Sequence, residues 1–239
     1  ARAELQDRAG ALADLDALAA EASTSGRHEM AMAARREAAL LAPEDAALRD
    51  RILEAQLAAQ PAPGGLQVAA TAAKGDPRLL LRVAEAHATS GRGDESLAIV
   101  MELLAADPGR RDAVAALGWA VAEKAPHVAF QIVEQAAAVA IAQADWGSAA
   151  AALQEFVTRV PAHVPALLRL VGVCVDGGLE ATLASSQAQL ADAYLAAGLS
   201  TEARFVAEDL VAREPWERAN IERFRRALEL SGEADPDRV

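Results

Sequence analysis

Reactive residue types are sparse in this chain, and their spacing limits the chemistry they could support. Four histidines, His28, His87, His127 and His163, are scattered along the sequence, mostly near expected helix starts. The stretch HEMAM at His28 is not the zinc-binding H-E-x-x-H pattern, because Met32 stands where the second histidine is needed. No shared metal site is expected from these residues. The single cysteine, Cys174, rules out an intrachain disulfide and a cysteine-rich zinc site, and its neighbours Val173 and Val175 mark it as a buried thiol. There is no G-x-x-x-x-G-K-[ST] phosphate loop, no G-x-G-x-x-G after a strand and no G-x-S-x-G elbow. Arg92-Gly93-Asp94 spells an adhesion-type tripeptide, but its position between two expected helices has a plainer reading. There, Gly permits the turn and Asp94 caps the next helix. Neither a catalytic residue nor a metal or cofactor site is expected.

The elements that carry these residues follow from composition and punctuation. The chain has 239 residues, 53% of them apolar but only 3% aromatic, with a formal net charge of −12. An alanine-rich, aromatic-poor chain favours closely packed helices, since alanine loses no side-chain entropy on entering one. No stretch alternates as a sustained strand does. The acidic balance argues against nucleic-acid binding, which needs a basic footprint, and Arg110-Arg111 is a weak basic spot best read as solvated. No apolar run reaches the ~18–20 residues of a membrane span. A cytoplasmic setting is expected, with the periplasm left open. The opening ARAELQDRAG, already helix-like and without Met, reads as part of a longer chain. The bias toward Ala, Arg and Glu suits a GC-rich bacterial coding sequence.

Prolines and glycines divide the chain into helix pairs. Residues 1–25 predict a helix with Leu5, Leu12, Leu15 and Leu18 on one side, STSG at 23–26 breaks it, and a second helix over 27–42 ends at Pro43. A helix start at PEDAALRDRILEAQLAAQ follows, then PAPGG at 61–65 and a short helix over 66–74. PRLLLRVAEAHATSGRGDESLAIVMELLAADP carries the next pair, turning at Gly91 and closing at Pro108. Helices are then expected over 110–124, within 126–144, over 145–161, 163–176 and 179–197, and from 200 to 213. A last helix over 215–230 places Trp216, Ile221, Phe224 and Leu228 near one side and Arg218, Glu222, Arg225, Arg226 and Glu229 elsewhere. Residues 232–239 are expected to form a disordered acidic tail.

In QLADAYLAAGLSTEARFVAEDLVAREP, apolar or small residues fall at Leu190, Ala191, Tyr194, Ala203, Ala207 and Leu210, Gly198 makes the turn, and Pro215 closes the unit. This order resembles the tetratricopeptide repeat, a helix–turn–helix of about 34 residues with L-G-x₂-Y, A-x₃-F and a final Pro. Ala191 stands for the family's Gly, and Ala207 for its Phe. Further copies place Leu18-Ala19, Val83-Ala84-His87 and Leu117-Gly118 at the first-helix signature. Clear repeats run over 12–45, 46–76, 77–109 and 184–217, with 110–183 irregular and 215–230 a capping helix. Pro108 to Pro161 and Pro161 to Pro215 each span about one and a half repeats, three helices rather than two. The pattern of Asp145–Pro161 is that of a second helix, whereas strict alternation makes it a first. The sequence leaves that choice open.

The resemblance implies an all-α fold over residues 1–231, a right-handed superhelical solenoid of antiparallel helix pairs with about thirteen helices. It also implies a protein-interaction scaffold, whose first helices line a concave groove for an extended peptide or a partner's helix. Carried onto this chain, the groove positions are Asp50, Arg51, Glu54, Arg78, Arg82, Glu85, Asp112, Trp119, Gln189 and Asp192. The Lys/Asn clamp with which some family members hold a terminal carboxylate is absent. Arg78 and Arg82, one helical turn apart, could fork a carboxylate, and Trp119 could serve as an aromatic anchor. The plainer alternative has the arginines solvated and Trp119 packed inside. The partner expected is a protein or peptide, with homo-oligomers possible. A regulatory or oligomerisation module of a larger enzyme or sensor, and an RNA-binding helical repeat, are the other readings.

Overall fold

The computed structural model describes residues 2–42, 45 and 76–232. The expected helices between Pro43 and Asp76 and the acidic tail after Gly232 lie outside them, as do Asp50, Arg51 and Glu54. Two compact units divide the chain, Ala1–Ile99 and Val100–Val239. The described residues contain eleven α-helices and no strand.

In the first unit, α1 (Arg2–Thr24) and α2 (His28–Leu41) pack as an antiparallel pair. Among the described side chains the buried part of their seam is alanine, Ala19, Ala22, Ala31, Ala34 and Ala38, with Leu12 and Leu15 packed against Ala38 and Ala42. Alanine methyls along most of a seam let two helix backbones approach closely. Leu18, expected inside, is instead 42% exposed. Ala19 and Ala22 take the contact face, and a Leu one residue before Ala19 is swung about 100° away from it. Gly26 turns the chain with φ +71°.

Helix α3 (Pro77–Thr89) starts at an Asp76 cap, whose carboxylate accepts the Arg78 amide at 3.0 Å, with Pro77 in the first turn where its missing N–H costs nothing. Leu79, Val83, Ala84, His87 and Ala88 form its buried face. Gly91 (φ +79°) leads into α4 (Gly93–Ala106), which crosses the boundary between the units. Asp94 lies inside the first turn of α4, where its charge suits the amide dipoles, and not at the capping position expected for it.

The second unit continues through a short 3₁₀ turn (Pro108–Arg110) into α5 (Arg111–Val121), α6 (Pro126–Ala142), α7 (Trp146–Arg159), α8 (Val164–Gly177), α9 (Glu180–Ala196), α10 (Ser200–Arg213) and α11 (Arg218–Ser231). Each packs on its successor. The odd-numbered helices form one row, with α5 touching α7 and α9 touching α11. On the even side α6 and α8 meet through ring contacts of His127 and Phe130 with His163. The pairs are therefore α5/α6, α7/α8 and α9/α10, with α11 closing the unit. Helix α7 sits in a first-helix position in spite of its second-helix pattern, which settles the choice the sequence left open.

The core of this unit is built from Phe156, Ile132, Leu153, Leu167, Leu170, Leu210 and several valines, all fully buried. On α11 the charged residues Arg218, Glu222, Arg225, Arg226 and Glu229 are exposed, as a terminal helix requires in water. Ile221, Phe224 and Leu228 are half-buried, but Trp216 is 78% exposed. Glu217 caps α11 through the Ala219 amide, so the helix begins at Arg218 and Pro215-Trp216 belong to the preceding turn. Trp216 therefore does not share the helical period that was to bring it inside.

Candidate binding groove

The sequence-predicted positions distribute unevenly. In the first unit, Arg78 is exposed and Arg82 half-buried, both on α3. In the second unit, Trp119 on α5 is half-buried, and its indole N–H donates to the Ala152 carbonyl of α7 at 3.0 Å. Its polar handle is thus spent on packing two helices of the odd row. Asp112 is exposed beside Arg111, and Glu85 is exposed on α3.

Gln189 and Asp192, both on α9, are brought together at a groove of about 470 Å³ between α7 and α9. One wall is Val157 and Thr158 from the end of α7 with Pro161 and Ala162 from the following turn. The other is Gln189, Asp192, Ala193 and Ala196 on successive turns of α9. Five of the eight lining residues, Val157, Pro161, Ala162, Ala193 and Ala196, are small and apolar. The Thr158 hydroxyl donates to the Gln154 carbonyl at 2.8 Å.

The Asp192 carboxylate is held from behind. Arg223 of α11 donates Nε and Nη2 to its two oxygens at 2.8 and 3.0 Å, and Nη1 to the Asn220 amide oxygen at 3.1 Å. This planar, two-point pairing fixes both the carboxylate and the closing helix. Gln187, on the same helix, donates to Asp209 of α10 at 2.9 Å, and Arg213 pairs with Asp209 at 2.8 Å. Helix α9 is therefore tied to α10 and α11 by polar links while its groove face stays open.

The turn that forms the α7 side of the groove is organised by His163. Its Nδ1 accepts the Ala166 amide at 3.2 Å and so caps α8, with Pro165 in the first turn. The ring is only 8% exposed. Phe156 meets it edge-on at 5.3 Å between centroids, Phe130 at 5.0 Å and His127 at 5.6 Å. Burial holds His163 below its ordinary pKa of 6.5, and His127 adds to the effect. Two histidines distant in sequence are thus neighbours. Among the described residues, no group of three or more His, Cys, Asp or Glu side chains could hold a metal.

Two other expectations concern buried groups. Cys174 is fully buried and burial pushes its thiol pKa up, opposed by a hydrogen bond with Ser186, so it is a packing residue. His87 is buried at the Tyr-like position of its helix, as the repeat pattern required. Pro161 was visible in the sequence as a helix stop, and Ala193 and Ala196 follow Gln189 and Asp192 by one turn each. Thr158, Ala162 and the capping role of His163 had no sequence signal beyond proximity to that proline.

No protein-family model matches this sequence, and no curated protein does. Among solved structures, the chain is similar to a tetratricopeptide repeat protein from Parabacteroides merdae, at 13% identity and TM-score 0.35, covering 92% of this chain and 99% of that one. It is also similar to the P58(IPK) TPR domain, at 16% identity and TM-score 0.37, covering 98% and 69%. A third is pilF of Pseudomonas aeruginosa, at 18% identity and TM-score 0.34, covering 90% and 97%. The fold is a TPR-like helical repeat. The helix pairs bury the residues of the repeat signature: Val83, Ala84 and His87, Leu117 and Gly118, and Leu190, Ala191 and Tyr194 are all buried, as are Ala203 and Ala207 on the helix that follows the last set. Among the described residues, no helix is long and apolar enough to cross a membrane.

Proposed function

We propose that this chain is a protein-interaction scaffold, and that the α7/α9 groove takes an extended or helical segment of a partner protein. The observation that supports this reading is the groove itself, open on the odd-helix row, lined largely by small side chains and edged by Gln189 and Asp192. Small apolar residues of a bound segment would fit over Ala193 and Ala196. Gln189 supplies an amide that can both donate to and accept from a peptide backbone. The carboxylate–guanidinium pair of Asp192 and Arg223 offers an acceptor edge already fixed in place. Arg78 and Arg82 on α3 are proposed as a separate acidic-segment contact in the first unit, resting on their one-turn spacing.

The test is capture of partners on immobilised protein, compared with variants of unchanged helical circular dichroism. Ala193→Trp and Gln189→Ala address the groove, and Arg78→Glu with Arg82→Glu addresses α3. The expected outcome is that Ala193→Trp abolishes capture and Gln189→Ala weakens it about tenfold, the factor of one or two hydrogen bonds. Capture that persists in Ala193→Trp removes the groove from the site. Capture untouched by the arginine pair removes that contact alone.

A further inference from the structure

We propose that the α7/α9 groove is gated by protonation, with His163 as the proton-binding element that holds its α7 wall in place. His163 can accept the Ala166 amide only while Nδ1 carries no proton. Once both ring nitrogens are protonated the ring offers no acceptor, the Ala166 amide keeps only its bond to the His163 carbonyl at 3.0 Å, and a positive charge stands at the end of α8 where the exposed amides already make the potential positive. The same ring is packed between Phe156 and Phe130, so the new charge is also placed among apolar faces. Its Nε2 is buried and has no hydrogen-bond partner to take up the change.

The surrounding charges do not rescue it. From α6 the titratable group facing the ring is His127, 5.6 Å away and of the same sign when protonated. Glu134 of α6 lies 3.5 Å from Arg169 of α8. On α7, Glu155 is hydrogen-bonded to Arg159 at 2.7 Å. On α9, Asp192 is bound by Arg223.

The protonated ring therefore leaves its slot or the first turn of α8 loosens. Either movement displaces the two residues immediately before it, Pro161 and Ala162, which form part of the groove wall. Near neutral pH the wall is set. In mild acid, below the ordinary histidine range, it is released. For its consequence this rests on the groove being the binding site, but the gate itself concerns the shape of the groove and is measured without a partner.

The measurement is nuclear magnetic resonance on the whole chain with labelled alanine methyls and histidine rings, titrated from pH 8 downward. The expected result is that the Ala162 and Ala196 methyls shift with the midpoint of His163, while Ala31 in the first unit does not follow it. Corrected for intrinsic rates, the Ala166 amide, which keeps its bond to the His163 carbonyl, should lose up to about fivefold of its exchange protection across that midpoint, the equilibrium factor of a typical N-cap. His163→Asn keeps a capping oxygen that does not titrate, and it should hold the groove methyls still over the same range. Groove methyls that ignore the His163 titration overturn the proposal, as does a His163→Asn variant with the wild-type pH response. If His163→Asn does not fold, the wild-type titration decides alone. A gate that operates while Ala193→Trp leaves partner capture intact would separate the two readings, since the gate would stand and the binding site would fall.

Discussion

Gly118 shows how much of this architecture is decided by a single side chain. A Cβ there would lie 2.5 Å from Val133 Cγ2 and 3.0 Å from the Ala129 carbonyl oxygen on α6. The valine methyl can turn aside, but the carbonyl belongs to a helix backbone and cannot. Gly118→Ala is therefore expected to destabilise the second unit by about 1–3 kcal/mol, the usual cost of overpacking a filled seam. Urea denaturation, with helical content followed by circular dichroism, checks this, and an unchanged midpoint would sink it. The sequence marked Gly118 through its place after Leu117 in the repeat signature. It could not decide the role of Trp119, because an indole on the adjacent position suits either a groove or a seam. Only the Ala152 carbonyl at 3.0 Å assigns it to the seam between α5 and α7.

At the scale of elements, the turns carry the most legible information. Gly26, Gly91, Gly178 and Gly198 all adopt positive φ at the ends of helices, where glycine avoids the Cβ–carbonyl clash. The turn between α6 and α7 does the same with Ala144, at φ +57°. An alanine held there costs about 1 kcal/mol. Ala144→Gly should recover part of that, less the added chain entropy of glycine in the unfolded state, for a net gain of about 0.5 kcal/mol. A raised thermal midpoint is the expected reading, and a lowered one would mean the strain is absent. The adjacent residue shows why this turn holds without glycine. Asp145 caps α7 through the Ser148 amide at 3.1 Å and takes Arg111 of α5 at 2.5 Å. Its carboxyl is held below its ordinary pKa, first by the bonds from Ser148 and then by Arg111.

For the whole molecule, those shifted groups predict how stability follows pH. His87 and His163 are both held below 6.5, chiefly by burial. Unfolded, they bind protons as the pH falls below 6.5, whereas folded they resist until lower pH. Their stabilising contribution is thus complete above 6.5, falls as the pH descends from there, and is lost below their folded values. Asp145 adds a second, more acidic step, present above 3.8 and lost as the pH falls through its depressed value. Denaturation midpoints measured between pH 8 and pH 3 should fall in these two stages. A flat profile between pH 7 and pH 5 would contradict the histidine assignment. Arg111→Ala should reduce the second stage and leave the first.

What the sequence determined by itself was the kind of element and its punctuation. Alanine abundance, the prolines at 43, 77, 108, 126, 161 and 215, and glycines at positive-φ turns specify helix after helix. Those are local preferences, set by side-chain entropy and backbone sterics within a few residues. Tertiary structure decided the rest. Whether α7 stands in the odd or the even row depends on which neighbours bury Leu153 and Phe156, and the same apolar spacing satisfies both arrangements. Gln189 and Asp192 could be placed on a helix face from their repeat positions, but the wall opposite them comes from residues about thirty positions earlier. The meeting of His163 with His127 and Phe130 likewise joins the starts of α8 and α6, and no one-dimensional pattern specifies it. Contacts of that range are fixed by how closely helices approach, and in an alanine-rich chain that distance depends on seams such as Gly118 against Val133.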